Sequence, residues 1–346
     1  MLTISGCGEP TKRIILLTNG ADPFWDAMRA GMQDAEKDFK LADAKLRTVM
    51  DVNDGTPKGQ VDRLRQYANQ ADIAAVAVSV TDSKNEAIAK AMQECQRAGI
   101  QVIAIDSDVD RQSARKARFA YLGTDNVVGG QELGKAAAGI RPQGGKYATF
   151  VGLKGAANAM ERIGGFGEGA GSKFTQVENL GDDMDLSTAM KNVKDALDRN
   201  PDLDTLVGIW AYNAHAIAEV VKQRNLRDKV TIVVFDAAPK AIGHMADGNI
   251  DAMVVQNPYD MGYRGTRLMK ALVEQDHQTI HELLPTYDPE KHEFTDPEGD
   301  LLVTGLRVVH PDSGSPLNKE MFAPSTEFLS LSDFKKWLSE HNLTGS

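Results

Sequence analysis

Two neighbouring stretches near the start of the chain decide the fold: "RIILLTN" (13–19) and "FWDAMRAGMQDAEKDF" (24–39). The first is a short apolar run of strand length. The second repeats its apolar and small residues at helical spacing, at Phe24, Met28, Gly31, Met32, Ala35 and Phe39. The alternation continues through "AKLRTVMDV", "GQVDRLRQYANQ", "IAAVAVSV", "KNEAIAKAMQECQRAG" and "IQVIAID". Near-continuous apolar strands joined by helices indicate a parallel sheet that is covered on both faces.

The same pattern starts again after "RFAYLGTDN" (118–126). A helix-length segment, "VVGGQELGKAAAGI", comes first, and the later segments are "KYATFVG", "TLVGIWA", "AIAEVVKQRN", "VTIVVFD" and "IDAMVVQ". We therefore expect an α/β protein with two doubly wound halves of similar length. The chain should cross between them near 123–126 and again near 256–259. "LLVTGLRVV" (301–309) is interpreted as one more strand, and "STEFLSLSDFKKWLSEHN" (325–342) as an appended amphipathic helix.

Size and charge exclude several classes of protein. The 346 residues are 42% hydrophobic, enough for a large core, and no run approaches the roughly 20 apolar residues of a membrane span. A formal charge of -10 argues against nucleic acid as a partner. Of the two cysteines, Cys95 falls on the apolar stripe of a helix and is predicted to be a core thiol, which leaves Cys7 unpaired.

Polar side chains follow the predicted strands, at the edge where loops and helix N-termini converge in parallel sheets. They are carboxylates, amides, hydroxyls and aromatics, and the candidates for ligand binding among them are Asp22, Phe24, Trp25, Ser79, Asp106, Tyr212, Asn213, Asp236 and Gln256. Carboxylates accept hydrogen bonds from hydroxyl groups, and an aromatic face covers an apolar C–H surface. The set therefore fits a small polyhydroxylated molecule. For each Asp taken singly, a helix N-cap or a turn residue is the simpler interpretation.

The familiar catalytic and cofactor motifs are missing from the sequence. "GGFGEGAGS" (164–172) lacks the Gly-Lys-Ser/Thr ending of a phosphate-binding loop and is predicted to be a helix whose glycines allow close packing. His277 and His281 have metal-ligand spacing, but without a third ligand nearby they are better explained as part of a solvated face. We therefore expect no metal, no cofactor and no enzymatic activity.

Seven segments, in this order and spacing, resemble the landmarks of periplasmic sugar-binding proteins of the ribose-binding type, which are receptors of ABC importers. The resemblance runs from about Arg13 to Leu272. It is carried by "IILLTNGADPFWDAMRAGMQDAEKDF", "VAVSVTDS", "IQVIAIDSD", "YLGTDNVVGGQELG", "AMERIGGFGEG", "IVVFDAAPKA" and "DAMVVQNPYDMGYRG".

The resemblance implies the type I periplasmic-binding-protein fold, in which two parallel-sheet lobes joined by a three-strand hinge close on a sugar. In this chain it predicts a linker over 1–11 and a C-terminal extension over 311–346. The N-terminal lobe would be 12–123 plus 258–284, and the C-terminal lobe 124–257 plus 285–310.

The resemblance also implies roles for particular residues. Asp22 would bond sugar hydroxyls, Phe24 and Trp25 would sandwich the ring, and Arg162 would bind hydroxyls from the second lobe. Ser107 stands where these receptors commonly have an arginine after the aspartate, which argues against ribose as the ligand. The second-lobe aromatic of the family aligns loosely with Met184, and Gln256 matches the hinge glutamine.

The location of the protein depends on Cys7. "ISGC" (4–7) resembles a lipobox, so we expect Cys7 to carry a lipid and the protein to lie in the periplasm or cell envelope as a monomer that serves an ABC permease. One alternative is a sugar-sensing ectodomain that works with a signalling receptor, and an enzyme on the same fold is another. A sugar-responsive repressor would need a DNA-binding domain of roughly 50 to 60 residues before the first strand.

Overall fold

The computed structural model describes residues 11–346; Cys7 lies outside the described residues. The described strands are β1 (Lys12–Leu17), β2 (Leu46–Asp51), β3 (Ile73–Val78), β4 (Gln101–Ile105), β5 (Tyr121–Gly123), β6 (Gly145–Val151), β7 (Phe174–Gly181), β8 (Leu203–Gly208), β9 (Thr231–Phe235), β10 (Ala252–Val255), β11 (Tyr287–Asp288), β12 (Glu293–Phe294), β13 (Leu301–Val303), β14 (Arg307–His310) and β15 (Glu327–Ser330).

The α-helices alternate with these strands through most of the chain. They are α1 (Phe24–Asp38), α2 (Pro57–Ala68), α3 (Glu86–Arg97), α4 (Asn126–Ile140), α5 (Ala157–Ala170), α6 (Leu186–Arg199), α7 (Asn213–Gln223), α8 (Pro239–Ala246), α9 (Pro258–Glu274), α10 (His277–Leu283) and α11 (Leu331–Glu340). Short 3-10 helices lie at Leu41–Ala44, Arg115–Ala117, Arg227–Lys229 and Lys319–Met321.

The strands form two large sheets, and each sheet defines a lobe. In the first lobe the order is β13-β5-β4-β3-β1-β2, with every neighbouring pair parallel. In the second lobe the order is β15-β14-β10-β9-β8-β6-β7, where β10 and β14 form the one antiparallel pair. The predicted α/β class with two doubly wound halves is therefore confirmed.

Both faces of each sheet are buried, as the apolar strands predict. Along β1, Ile14 and Leu16 join a core with residues of α1 and α9, whereas Ile15 and Leu17 join a core with residues of α2 and α3. The period-2 alternation of side chains in a strand sends successive residues to opposite faces. Cys95 is fully buried in the second of these cores, as its place on α3 predicts.

The chain passes between the lobes at three places: between β5 and α4, between β10 and α9, and between β13 and β14. The third passage corrects two predictions. "LLVTGLRVV" is two strands in different sheets, because the backbone N–H of Thr304 donates to Gly123 O at 2.7 Å beside β5 and the chain then turns away at Gly305. Residues 285–303 therefore pack with the first lobe, where Tyr287 and Leu302 enter its core, and not with the second.

Glycines allow two helix pairs to pack backbone to backbone. A Cβ added to Gly130 or Gly134 of α4 would collide with a backbone carbonyl oxygen of α5, and one added to Gly165 or Gly169 of α5 would collide with α4. In the first lobe Gly31 of α1 meets α9 in the same way. The predicted packing role of the glycine-rich segment is confirmed, and it fixes α5 firmly against α4.

The last part of the chain belongs to the second lobe. β15 pairs with β14, and α11 buries Leu331, Phe334 and Leu338 in the core of that lobe. The cap of α11 is Ser330, whose Oγ accepts from the backbone N–H of Asp333 at 3.1 Å, and residues 327–330, predicted to be part of this helix, form β15 instead. Within residues 11–346, no helix has both the length and the apolar character needed to cross a membrane.

Candidate functional site

The carboxyl ends of the two sheets face each other across a small cavity between the lobes. Strand ends and helix N-termini converge there, as they do in open α/β sheets generally. The residues that line it are Asn19, Asp22, Phe24, Trp25, Asp106, Asn158, Arg162, Trp210, Ala211 and Asp236. Six of the ten predicted ligand-binding residues are therefore in the wall of one cavity.

The first lobe contributes the turn that leads into α1. The Asp22 carboxylate accepts from the backbone N–H of Phe24 at 2.8 Å, which fixes the start of the helix. Phe24 and Trp25 are both buried, with ring centroids 5.0 Å apart in an edge-to-face arrangement. The indole N–H of Trp25 has no hydrogen-bond partner among the described residues. This turn thus offers an aromatic surface with one free donor.

Two aspartates occupy corresponding positions, directly after β4 and directly after β9. Asp106 and Asp236 both have left-handed backbone conformations, with φ of 63° and 66°. Only a few per cent of residues other than glycine adopt positive φ, and such strain clusters at functional sites. The Asp106 carboxylate accepts from Ser79 Oγ at 2.8 Å and from Asn158 Nδ2 at 3.1 Å. The Asp236 carboxylate accepts from Gln256 Nε2 at 2.9 Å.

Arg162 of α5 lies between these two carboxylates and is almost completely buried. Its Nη2 is 3.9 Å from Asp106 and its Nη1 is 3.8 Å from Asp236. The guanidinium group donates to the Asn126 side chain at 2.9 Å and to the Ile209 carbonyl at 3.1 Å, and it stacks 3.9 Å from the Phe235 ring centroid. Nη2 makes no hydrogen bond to the described residues. The side chain is held rigidly while one N–H edge remains available.

The cavity brings three carboxylates together with one guanidinium group. Burial, with the charges of Asp236 and Asp106 adding to it, raises the pKa of Asp22 to about 8. Burial also raises the pKa of Asp236 to about 6, against the opposing effect of Arg162, and raises that of Asp106. Desolvation favours the neutral form of a carboxyl group, and neighbouring negative charges act in the same direction. The lining is therefore rich in acceptors that hold protons more readily than exposed carboxyl groups.

Buried side-chain atoms without a hydrogen-bond partner concentrate at this cavity. Six such atoms occur in the described part of the chain, and four belong to lining residues: Trp25 Nε1, Asn158 Oδ1, Arg162 Nη2 and Trp210 Nε1. Leaving a buried polar group unpaired costs about 1 to 3 kcal/mol, so such groups are rare unless something else satisfies them. Donors and acceptors converge on one small space.

Four predicted residues lie behind the lining. Ser79 and Gln256 each hold one of the two strand-end carboxylates. Tyr212 and Asn213 both donate to Asp182, Asn213 at 2.9 Å, and Asn213 Oδ1 also accepts from the backbone N–H of Trp210 at 3.2 Å. Ser79, Gln256 and Asn213 therefore hold lining residues, Tyr212 holds Asp182, and none of the four lines the cavity.

Sequence reasoning missed four lining residues: Asn19, Asn158, Trp210 and Ala211. Asn158 precedes Arg162 by four residues on α5, so the i, i+4 relation could have placed it on the same helix face. Trp210 lies two residues after β8 and brings an aromatic ring of the second lobe into the lining, where the resemblance had placed that aromatic near Met184. Met184 instead lies against Gly20, outside the lining.

Comparison with known proteins identifies the family of the chain. The family model described as "Periplasmic binding protein domain" matches residues 14–277, and the chain belongs to that family. The family consists of extracytoplasmic binding proteins of ABC importers and not of enzymes, which confirms the resemblance inferred from the sequence.

Three relatives show the range of the family. The chain is 25% identical over 276 residues to the D-allose-binding periplasmic protein of Escherichia coli (78% of this chain, 86% of the relative). It is 27% identical over 248 residues to the ribose import binding protein RbsB of Bacillus subtilis (71% and 76%). An ABC transporter solute-binding protein from Burkholderia graminis, solved with D-arabinose, shares the fold with a TM-score of 0.73 at 23% identity, covering 89% and 99% of the two chains.

Proposed function

We propose that this protein captures a neutral monosaccharide or sugar alcohol between its two lobes and delivers it to an ABC importer. The observation that carries the proposal is the mixture of unpaired donors, one unpaired acceptor and carboxylates around one small cavity. A hydroxyl group both donates and accepts, so a ring of hydroxyls can satisfy all of these atoms together. A ligand with only donors or only acceptors would leave part of the lining unpaired.

The shape and charge of the cavity narrow the ligand class. Trp25 and Trp210 come from different lobes and suit the apolar C–H faces of a sugar ring. The carboxylates of Asp106 and Asp236 face a single guanidinium group and disfavour sugar phosphates and sugar acids, because like charges repel in a partly desolvated site.

Closure of the lobes would complete the site. Asn158 of the second lobe donates to Asp106 of the first, and the backbone N–H of Ser83 donates across to Gly155 O at 3.1 Å. The three passages between the lobes are short, so a hinge rotation can open this contact and admit a ligand. The closed liganded form is then the state that a permease would recognise. We also propose that the protein acts as a monomer and is anchored through a lipid on Cys7.

A ligand screen by thermal unfolding tests the proposal directly. A panel of neutral aldoses, ketoses and polyols is compared with sugar phosphates and uronic acids. A ligand at 100 times its dissociation constant stabilises the folded state by about 2.7 kcal/mol, which gives a clear upward shift in Tm. We expect at least one neutral compound to shift the Tm and no anionic compound to do so.

Small-angle scattering with and without the best compound tests the closure step, and a smaller radius of gyration is expected on binding. Failure of every neutral sugar and polyol to bind would refute the proposed function. Binding with no change in the scattering profile would refute the closure step alone.

A further inference from the structure

A cluster of side chains between α7 and α8 of the second lobe has the composition of a metal site. His215 and Glu219 are four residues apart on α7 and so share a helix face, and His244 approaches them from α8. His215 Nδ1 is 3.0 Å from His244 Nε2, which is 3.8 Å from Glu219 Oε1. Within residues 11–346, this is the one group of three His, Cys, Asp or Glu side chains whose ligand atoms come this close together.

These separations are close to those between the ligand atoms of a tetrahedrally coordinated metal ion. Zinc binds imidazole nitrogen and carboxylate oxygen at about 2.0 to 2.2 Å, and tetrahedral angles then place neighbouring ligand atoms roughly 3.3 to 3.5 Å apart. The two distances in the cluster lie on either side of that range. Small side-chain rotations would bring both into it.

We propose that His215, Glu219 and His244 form a binding site for Zn²⁺ or a similar transition-metal ion, with a water molecule in the fourth position. Two imidazoles and one carboxylate are a donor set typical of zinc, whereas Mg²⁺ prefers an all-oxygen set. His244 is mostly buried, while Glu219 is partly exposed and gives an ion access from solvent.

A hydrogen-bond chain is the competing explanation for the cluster. Lys240 Nζ is 3.3 Å from His215 Nε2, the ring nitrogen that faces away from His244. A lysine that donates there would let His215 donate to His244 and would repel a divalent cation. Lys240 is exposed, so its side chain can turn into solvent when an ion binds. If the cluster binds Zn²⁺, removing the Lys240 side chain should strengthen Zn²⁺ binding. If the cluster is only a hydrogen-bond chain, it should not.

The site would link two helices that start at the cleft. α7 begins just after Trp210, and α8 begins just after Asp236, while the cluster itself includes no lining residue of the cavity. A bound ion would hold these helices together without touching a sugar. We therefore expect it to stabilise the second lobe and to leave sugar recognition in place.

The experiment is calorimetric titration of the chelator-treated full chain with ZnCl₂, and in parallel with MgCl₂. We expect Zn²⁺ to bind with a stoichiometry of one and Mg²⁺ to give no heat of binding. His244→Ala should weaken Zn²⁺ binding at least tenfold. Glu219→Gln, which keeps the size of the side chain, should weaken it several-fold. Lys240→Ala should strengthen it.

His281→Ala is the matched control, since His281 is a partly buried helical histidine of the first lobe whose Nδ1 donates to the Tyr287 carbonyl at 2.7 Å. It should leave Zn²⁺ binding unchanged. Thermal unfolding supplies a second readout, and Zn²⁺ should raise the Tm of the parent protein and of His281→Ala but not that of His244→Ala. Equal Zn²⁺ affinity in the parent, His244→Ala and Glu219→Gln proteins would overturn the proposal, as would weaker binding in Lys240→Ala.

Discussion

The two lobes are built on the same strand order and yet present different chemistry to the cleft. β2-β1-β3-β4-β5 in the first lobe corresponds to β7-β6-β8-β9-β10 in the second. The corresponding strands β4 and β9 each end in an aspartate with positive φ, Asp106 and Asp236. Each lobe therefore places a carboxylate at the same position of its sheet, directed into the space between the lobes.

The side chains around these two carboxylates differ. The first lobe adds a second carboxylate, Asp22, whereas the second adds the guanidinium group of Arg162 and the amide of Asn158. Asn158 reaches across to Asp106, while Asp236 is held by Gln256 at the passage between the lobes. The first lobe contributes mainly hydrogen-bond acceptors to the cavity, and the second lobe contributes most of the donors. A ligand that needs both kinds of group is bound fully only when the lobes meet.

The largest effect is expected at the guanidinium group, which the first lobe does not duplicate. Arg162→Ala would leave two buried carboxylates, Asp106 and Asp236, without their positive partner, and removing one member of a buried ion pair costs about 3 to 5 kcal/mol. We expect a marked loss of Tm and at least a 100-fold increase in Kd for the sugar. Thermal unfolding and calorimetric titration measure the two effects.

Arg162→Lys is the control for this change, because it keeps the charge but loses the planar fork. It should retain most of the stability and lose part of the affinity. If Arg162→Ala binds the sugar as tightly as the parent protein, the difference between the lobes has no role in recognition.

A smaller effect, of similar size in both lobes, is expected when the corresponding carboxylates are neutralised. Asparagine keeps the size of aspartate and tolerates positive φ, so Asp106→Asn and Asp236→Asn remove the charge with little backbone strain. A hydrogen bond to a charged group contributes about 1.5 to 3 kcal/mol, which corresponds to an increase in Kd of roughly 10- to 100-fold.

A role for Asp236 as a helix cap would predict lost stability with normal affinity instead. The N-cap residue of α8 is Ala238, and no side chain caps that helix. We therefore expect urea unfolding of Asp236→Asn to show little change and titration to show the loss. A drop in stability with unchanged affinity would show that the two aspartates are not functional equivalents.

The smallest effect is expected when Asp22, which has no counterpart in the second lobe, is neutralised. The quantity that changes is the pH dependence of the free energy of unfolding. The pKa of Asp22 is raised to about 8, chiefly by burial, so the native protein keeps a proton that the unfolded chain releases above pH 4. Unfolding then releases a proton, and stability falls as pH rises from about 4 to 8. Asp22→Asn removes this loss, so its stability relative to the parent should rise steadily between pH 5 and pH 8.

Urea unfolding at several pH values measures the Asp22 effect. Asp26→Asn removes a carboxylate from an exposed position in the first turn of the same helix and is the control. An Asp22→Asn curve parallel to that of the parent would mean that the proton on Asp22 is not linked to folding.

Much of the architecture could be predicted because its signals are local. Hydrophobic periodicity identified the strands and helices, and the residue types at strand ends indicated a polyhydroxylated ligand before any contact was known. The failure at "LLVTGLRVV" has a physical cause: an apolar run of strand length does not reveal that Thr304 bonds beside β5 and that the next residue leaves the lobe. Pairing partners are not encoded in the run itself.

The sequence by itself determined the doubly wound halves, the carboxylates after β4 and β9, and the family, because each depends on residues close together in the chain. Only the tertiary structure decided which polar strand ends share a cavity. It turned Tyr212 and Asn213 towards Asp182, brought Trp210 and Asn158 into the lining, and placed His215 against His244. These contacts depend on how separate helices and strand ends are packed in three dimensions, and residue spacing along one element carries no record of that packing.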